Sequence, residues 1–239
     1  MTELSIVLPV FNEVDNIFLL ARELITAVDD LKLSAEIVFV DDGSTDGSAE
    51  AILAVMAQEP RARLLRLETN AGLTAAFHAG YTAAVGRVVV TMDADLQNDP
   101  QDITRLLTAL ENADAAVGWR VRRQDTWAKR VSSRIANAIR SRVTGDDVID
   151  SGCSLRAMRR ECLSALPPYN GMHRFVPTLL RAAGFRIVQV PVDHRPRRFG
   201  RSKFGIRNRA VRAFIDLLAV TWLIRRSLRY RVHEIDRPV

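Results

Sequence analysis

Several features that quickly place a protein in a class are scarce in this 239-residue chain. It has two cysteines, Cys153 and Cys162, without metal-ligand spacing or a matching histidine pattern. A disulfide framework is therefore excluded, and a reduced compartment fits. No G-x-G-x-x-G follows a strand-like run and no G-x-x-x-x-G-K-[ST] occurs, so an ordinary dinucleotide or P-loop site has little support. Met1-Thr2-Glu3-Leu4 leads straight into an apolar run without a basic start, and no secretory signal is expected. The late apolar stretch Ala213–Ile224 is only 12 residues long and is broken by Asp216. It is too short to span a bilayer.

What the chain does have is enough apolar residue, 48%, for a sizeable core, and a charge that changes sign along its length. Residues 1–119 carry 7 Lys and Arg against 19 Asp and Glu, whereas residues 120–239 carry 27 against 9. An acidic first half suits a cation and a basic second half suits an anion: nucleic acid, a phosphorylated lipid or an anionic bilayer. The basic stretch His194–Arg212 carries only two aromatics, Phe199 and Phe204, among eight Lys and Arg, few for a surface on which nucleic-acid bases stack, so nucleic acid is not the expected partner.

Apolar runs at Leu4–Val10, Ala35–Val40, Leu64–Glu68 and Val88–Met92 predict four strands, spaced by about 25–30 residues as in alternating βα units. A helix is predicted from about residue 15 to 28, capped by Asn12 or Asp15, and another over Thr74–Ala84. Ala115-Ala116-Val117 and Ile187–Val192 predict two more strands, and Trp127–Val143 a helix on which Lys129, Arg130, Arg140 and Arg142 form a solvated face. The first 118 residues read as a doubly wound α/β sheet, whose ligands bind at the carboxyl ends of the strands.

At one such end stands Val88-Val89-Val90-Thr91-Met92-Asp93-Ala94-Asp95-Leu96-Gln97. In an extended segment Asp93 and Asp95 project to one side. Two carboxylates so placed repel each other unless a cation lies between them. With the Gln97 amide nearby, hard oxygen ligands suit Mg²⁺ or Mn²⁺ better than zinc, and such a metal keeps positions open for substrate phosphates. A polar turn ending a strand is the plainer alternative.

Leu8-Pro9-Val10-Phe11-Asn12-Glu13, Val40-Asp41-Asp42-Gly43-Ser44-Thr45-Asp46, Asn70-Ala71-Gly72 and Asp93-Ala94-Asp95-Leu96-Gln97-Asn98-Asp99-Pro100 stand in an order and spacing that resemble the GT-A glycosyltransferases of family 2. With Asp150-Ser151-Gly152 and His194-Arg195-Pro196-Arg197-Arg198-Phe199-Gly200-Arg201-Ser202-Lys203, the chain looks like the polyprenyl-phosphate (dolichyl-phosphate mannose synthase-like) branch over about residues 4–205. The resemblance implies a GT-A α/β fold with a mostly parallel sheet as the domain 1–205, followed by a basic amphipathic segment 206–239. It implies an inverting transfer of sugar from a GDP- or UDP-sugar to a polyprenyl phosphate under Mg²⁺ or Mn²⁺. Transfer to a soluble or polysaccharide acceptor, or a non-catalytic nucleotide-sugar sensor, are the alternatives.

Carried onto these positions, the resemblance gives Pro9, Phe11, Glu13, Asp41, Asp42, Asp93, Arg120 and Arg134 to the nucleotide sugar, and Asp93, Asp95 and Gln97 to the metal. Glu13 can also be read as a helix-start acid and Asp46 as a cap. Asp95 and Asp150 are the expected catalytic carboxylates; Arg197, Arg201 and Lys203 would receive the acceptor phosphate. Cys153 reads as a small buried hydrophobe. Residues 195–231, with Trp222 and Arg225-Arg226, are expected to face a membrane surface, on the cytoplasmic side and peripherally. The same face could instead join two copies of the chain.

Overall fold

The computed structural model describes residues 2–121, 138–199 and 206–226, the side chains of the last segment from Phe214 onward. Seven strands, β1 (Leu4–Val10), β2 (Ala35–Asp41), β3 (Ala62–Arg66), β4 (Val88–Thr91), β5 (Ala115–Arg120), β6 (Arg156–Arg159) and β7 (Ile187–Val192), form one sheet in the order β3-β2-β1-β4-β6-β5-β7. All neighbours pair in parallel except β6, which lies antiparallel between β4 and β5. The helices are α1 (Val14–Leu31), α2 (Ser48–Met56), α3 (Leu73–Ala83), α4 (Asp102–Ala109), α5 (residues 138–144), α6 (Val176–Ala182) and α7 (Ile206–Arg226).

Strand alternation sorts the apolar side chains onto two faces. Leu4, Ile6, Leu8 and Val10 of β1, with Ile37 and Phe39 of β2, pack beneath α1, α2 and α4 through Ile17, Leu20, Ile52 and Ile103. Val7, Val38 and Val40 face the other way, onto Phe77 of α3, Leu179 of α6 and Leu217 and Val220 of α7. Close approach of α3 requires Gly80, because a Cβ there would lie 2.2 Å from a Val7 methyl. Pro9 is buried in β1 beyond the last β1–β4 pair, Val7–Thr91, where the missing N–H leaves no ladder bond to β4 unmade.

Three expectations change. β3 begins at Ala62, two residues before the predicted start, because its register against β2 pairs Ile37 with Ala62 and Asp41 with Arg66. Neither Asn12 nor Asp15 caps α1; the first helical N–H, that of Val14, donates to Asp46 across the neighbouring loop at 3.1 Å. Arg140 is not on a solvated face: it is buried and paired with Asp146 at 2.5 Å, and its guanidinium also donates to the Val148 carbonyl. Arg142 is exposed as expected, while Lys129 and Arg130 lie outside the described residues.

Candidate active site at the carboxyl edge of the sheet

The order β3-β2-β1-β4 reverses direction at β1, and the loops after β1, β2 and β4 meet at that crevice. The loop after β1 is knitted to the loop after β2. Asn12, held at φ 51°, accepts from Thr45 N at 2.8 Å; Asn12 N donates to Ser44 Oγ and Glu13 N to Ser48 Oγ, both at 2.9 Å. Glu13 accepts from Asn16 Nδ2 at 2.5 Å, as a helix-start acid does. Asp46 receives Ser48 N at 3.0 Å as well as Val14 N, so it serves two helix starts.

Asp41 is fully buried. One oxygen accepts from Ser44 N at 2.9 Å, and the other lies 3.3 Å from Arg66 Nε without a hydrogen bond. A shallow cavity of about 370 Å³ opens alongside, lined by Gly43–Thr45 and Arg66–Glu68. Asp42 is committed inward instead, accepting from Ala71 N (2.7 Å), Gly72 N (2.9 Å) and Asn70 Nδ2 (3.0 Å). It fastens the Asn70-Ala71-Gly72 turn to β2. Gly43 must be glycine there: its φ is +71° and a Cβ would sit 2.6 Å from Asn70 N.

After β4 the chain turns through Leu96, a buried leucine at φ 61°. A non-glycine residue in that region costs on the order of 1 kcal/mol and often marks a functional turn. Asp95 Oδ1 accepts from Gln97 N at 3.1 Å. Burial first, then the neighbouring Asp95 charge, pushes the Asp93 carboxyl up to about 6. Asp95 Oδ2 holds Arg197 Nη2 at 2.5 Å, and Arg197 Nη1 lies 3.5 Å from Glu13 Oε1.

The pair thus meets the chemistry of a divalent-cation site: two crowded carboxylates, one protonation-prone and the other already occupied by a protein cation. Among the described residues no group of three or more His, Cys, Asp or Glu side chains gathers to enclose a metal. Two acids without a cage suit Mg²⁺ or Mn²⁺ completed by phosphate oxygens. Gln97 Nε2 donates to the Arg195 carbonyl at 3.4 Å.

Arg120, at the end of β5, forks onto Asp150 with Nε at 2.7 Å and Nη2 at 2.9 Å. Both are largely shielded from solvent. The expected diphosphate arginine and the expected reaction-centre carboxylate are therefore neighbours. Asp150 precedes a turn held from below by Arg156, which donates to the Ser151 and His173 carbonyls, each at 3.0 Å. Ser154 accepts Thr91 Oγ1 on its carbonyl at 2.5 Å and Asn98 Nδ2 on its hydroxyl at 3.1 Å, tying the β4 loop to the Asp150 turn.

Ser154 and Arg156 belong to the stretch Asp150–Arg156 that resembles the family's acceptor-side loop, but the sequence gives neither a role of its own. Their signal is a two-residue alternation: Cys153, Leu155 and Ala157 join one core face, and Met158 the other. Cys153 is buried as expected, its thiol pushed up to about 11 by burial. Arg134, Arg201 and Lys203 lie outside the described residues.

Beyond β7 the chain is strapped over the β4 loop. His194 bridges Asn98, Arg195 N donates to the Gln97 carbonyl at 2.8 Å, and the Arg195 guanidinium pairs with Glu23 (2.6 Å) and Asp99 (2.5 Å). Further on, α7 buries Leu217 and Val220, and its Asp216 pairs with Arg174 at 2.8 Å. Phe214, Ile215, Leu218 and Trp222 stand exposed on the same helix, ahead of exposed Arg225 and Arg226. Among the described residues no helix is long and apolar enough to cross a membrane.

Comparison with known proteins adds to this geometry. The sequence model described as glycosyl transferase family 2 matches residues 5–166. An undecaprenyl-phosphate 4-deoxy-4-formamido-L-arabinose transferase from Edwardsiella ictaluri is 40% identical over 205 residues, covering 84% of this chain and 63% of that protein. A dodecaprenyl-phosphate galacturonate synthase from Rhizobium johnstonii is 37% identical over 233 residues, covering 95% and 69%. The chain thus spans about two thirds of the length of these relatives. Among solved structures, glucosyl-3-phosphoglycerate synthase from Mycobacterium tuberculosis with Mg²⁺ and UDP superposes with a TM-score of 0.68 at 21% identity, over 94% of this chain and 79% of that one.

Proposed function

Because the chain belongs to glycosyl transferase family 2, we propose that it moves one sugar from a nucleoside-diphosphate sugar to a polyprenyl phosphate, inverting the anomeric carbon. The observation that carries this reading is the gathering of Asp41, Asp93, Asp95, Arg120 and Asp150 at one sheet edge, beside the Arg197 strap. Relatives named for undecaprenyl and dodecaprenyl phosphate support the acceptor class, and a neighbour holding UDP with Mg²⁺ supports a metal-bound nucleotide donor.

In this reading Pro9, Phe11 and Glu13 frame the nucleoside, and Asp41 accepts from it beside the cavity at Gly43–Thr45. Asp42 acts on the donor through the turn it fastens. Asp93 and Asp95 would hold the Mg²⁺ or Mn²⁺, which would stabilise negative charge on the departing diphosphate. A phosphate monoester is already anionic near neutral pH, with a second ionisation at about 6, so the acceptor needs little base catalysis. Its oxygen attacks the anomeric carbon in line, and the bond to the nucleoside diphosphate breaks with its electron pair staying on the leaving phosphate. Arg120 neutralises phosphate charge while Asp150 fixes where that guanidinium points; Arg134, Arg197, Arg201 and Lys203 supply further cations to the two phosphates.

Residues 1–205 form the transferase domain and 206–239 its membrane-facing segment in this proposal, with residues 195–231 lying on the inner, cytoplasmic surface of the cell membrane. The exposed apolar stripe of α7, followed by two arginines, supports that placement. Pairing of two copies through the stripe is the competing use.

A panel of GDP- and UDP-sugars assayed with a C55 polyprenyl phosphate, and in parallel with a short water-soluble phosphate monoester, tests the reading. Transfer to the lipid is expected with at least one donor. Transfer only to the soluble acceptor overturns the acceptor class, and donor binding without any turnover would make the protein a sensor.

A further inference from the structure

The carboxylate at the heart of the proposed metal site already holds a cation. Arg197 Nη2 lies 2.5 Å from Asp95 Oδ2, and Arg197 Nη1 reaches to within 3.5 Å of Glu13 Oε1, on the loop after β1. The arginine comes from a segment 102 residues further along the chain and bridges acids from two different strand ends. Both carboxylates are mostly covered, with 12% of each side chain exposed, so water screens them little.

We infer that Arg197 is an exchange cation: its guanidinium occupies Asp95 while the site is empty and gives that oxygen up when a divalent ion arrives. The inference rests on the reading of Asp93 and Asp95 as metal ligands. A Mg²⁺ ion needs carboxylate oxygens at about 2.0–2.1 Å and rejects a distorted shell. An ion on Oδ2 and a guanidinium at hydrogen-bond distance from the same oxygen repel each other, so the two compete for Asp95.

The strap permits a local departure. Its main chain is fastened at Arg195, whose N–H donates to the Gln97 carbonyl and whose guanidinium is forked between Glu23 and Asp99. Those contacts do not involve Asp95, so Arg197 can swing away beyond Pro196 while the anchor stays in place. Once displaced, it remains a fixed-length arm carrying a bidentate phosphate donor at the rim of the site. Metal binding and phosphate capture are then linked, because the ion that claims Asp95 also frees the guanidinium that suits an incoming phosphate. The linkage also keeps Asp95 and Glu13 partly neutralised before any donor binds.

Mn²⁺ binding to the full chain without nucleotide, read from the electron paramagnetic resonance signal of free Mn²⁺, tests the exchange. Wild type is compared with Arg197→Gln, Arg197→Lys and Asp95→Asn. Removing the competitor in Arg197→Gln should tighten Mn²⁺ binding by about fivefold or more, the usual floor for coupled sites. Arg197→Lys, which keeps the charge and loses the fork, should fall between. Asp95→Asn should weaken binding. Unchanged or weaker Mn²⁺ binding in Arg197→Gln, with Asp95→Asn still impaired, overturns the exchange while leaving the metal site standing. If Asp95→Asn binds Mn²⁺ as wild type does, the metal reading itself fails and the exchange with it.

Discussion

Replacing Asp150 by asparagine isolates a charge and leaves a shape almost unchanged. The carboxylate is buried at 5% exposure and accepts Arg120 Nε at 2.7 Å and Nη2 at 2.9 Å, with Arg120 N at 3.4 Å. An asparagine can still accept one of these bonds. Its amide nitrogen, however, would face a guanidinium donor, and the arginine loses its counter-charge. Breaking a buried pair from one side costs about 3–5 kcal/mol. Arg120 is proposed to meet the phosphates, so part of that cost should appear as a misaimed guanidinium in the transition state. If about 3 kcal/mol does so, kcat falls roughly a hundredfold. Donor affinity, to which the Asp41 side of the crevice also contributes in the proposed reading, should change less than kcat. Steady-state rates at saturating donor and acceptor, calorimetric donor binding, and a melting curve to confirm folding separate these quantities. Donor affinity lost in the same proportion as kcat, or a kcat within about threefold of wild type, would refute the role given to Asp150.

Asp95→Ala should nearly abolish turnover, because losing a ligand to a catalytic metal removes several kcal/mol of charge stabilisation; a wild-type rate in saturating Mg²⁺ and Mn²⁺ would end that assignment. Asp93, raised to about 6, must lose its proton to bind a cation, so Mn²⁺ affinity should drop steeply as the pH falls below about 6 and level off above it, as a pH series of Mn²⁺ titrations would show. Leu218→Glu with Trp222→Glu alters exposed positions and should release the protein from anionic liposomes, slowing transfer to a long-chain acceptor more than to a short soluble one; equal slowing with liposome binding intact would favour a dimer interface. Arg140→Met leaves Asp146 buried without its cation and should cost about 3–5 kcal/mol, lowering the melting temperature by roughly 6–20 °C.

The carboxyl-edge motifs were legible in the sequence because each is a short polar signal directly after an apolar run. The residues that join those motifs were not. Arg197 meets Asp95 only because the strap folds back over the β4 loop, and nothing within either segment encodes the meeting. β6 escaped notice because Arg156-Ala157-Met158-Arg159 is short and framed by charge; only the sheet shows Arg156 turned inward to hold two carbonyls. Arg140 looked like one more solvated cation in a basic stretch, and its burial depends on Asp146 and on Thr178, which also donates to Asp146. Asp216 seemed to interrupt an apolar helix; its carboxylate docks that helix onto Arg174. Local periodicity records which face a residue takes, but pairing between distant charges is written only in the tertiary fold.

The antiparallel strand β6 has a consequence for how the protein is made. It sits between β4 and β5, pairing Val90 and Ala116 with the same Ala157, so the two halves of the sheet do not touch each other until it arrives. A nascent chain that has emerged only as far as β5 leaves one edge of β4 and both edges of β5 unpaired, since β7 also comes later, although it already contains the Asp41 and Asp95 loops. Such edges recruit other chains. Closure waits for a keystone some forty residues downstream, and pairing over that separation is intrinsically slow. The first 120 residues should therefore not survive as a small nucleotide-binding unit; expressed alone they should aggregate, while a chain extended through Arg159 and its supporting helices regains solubility.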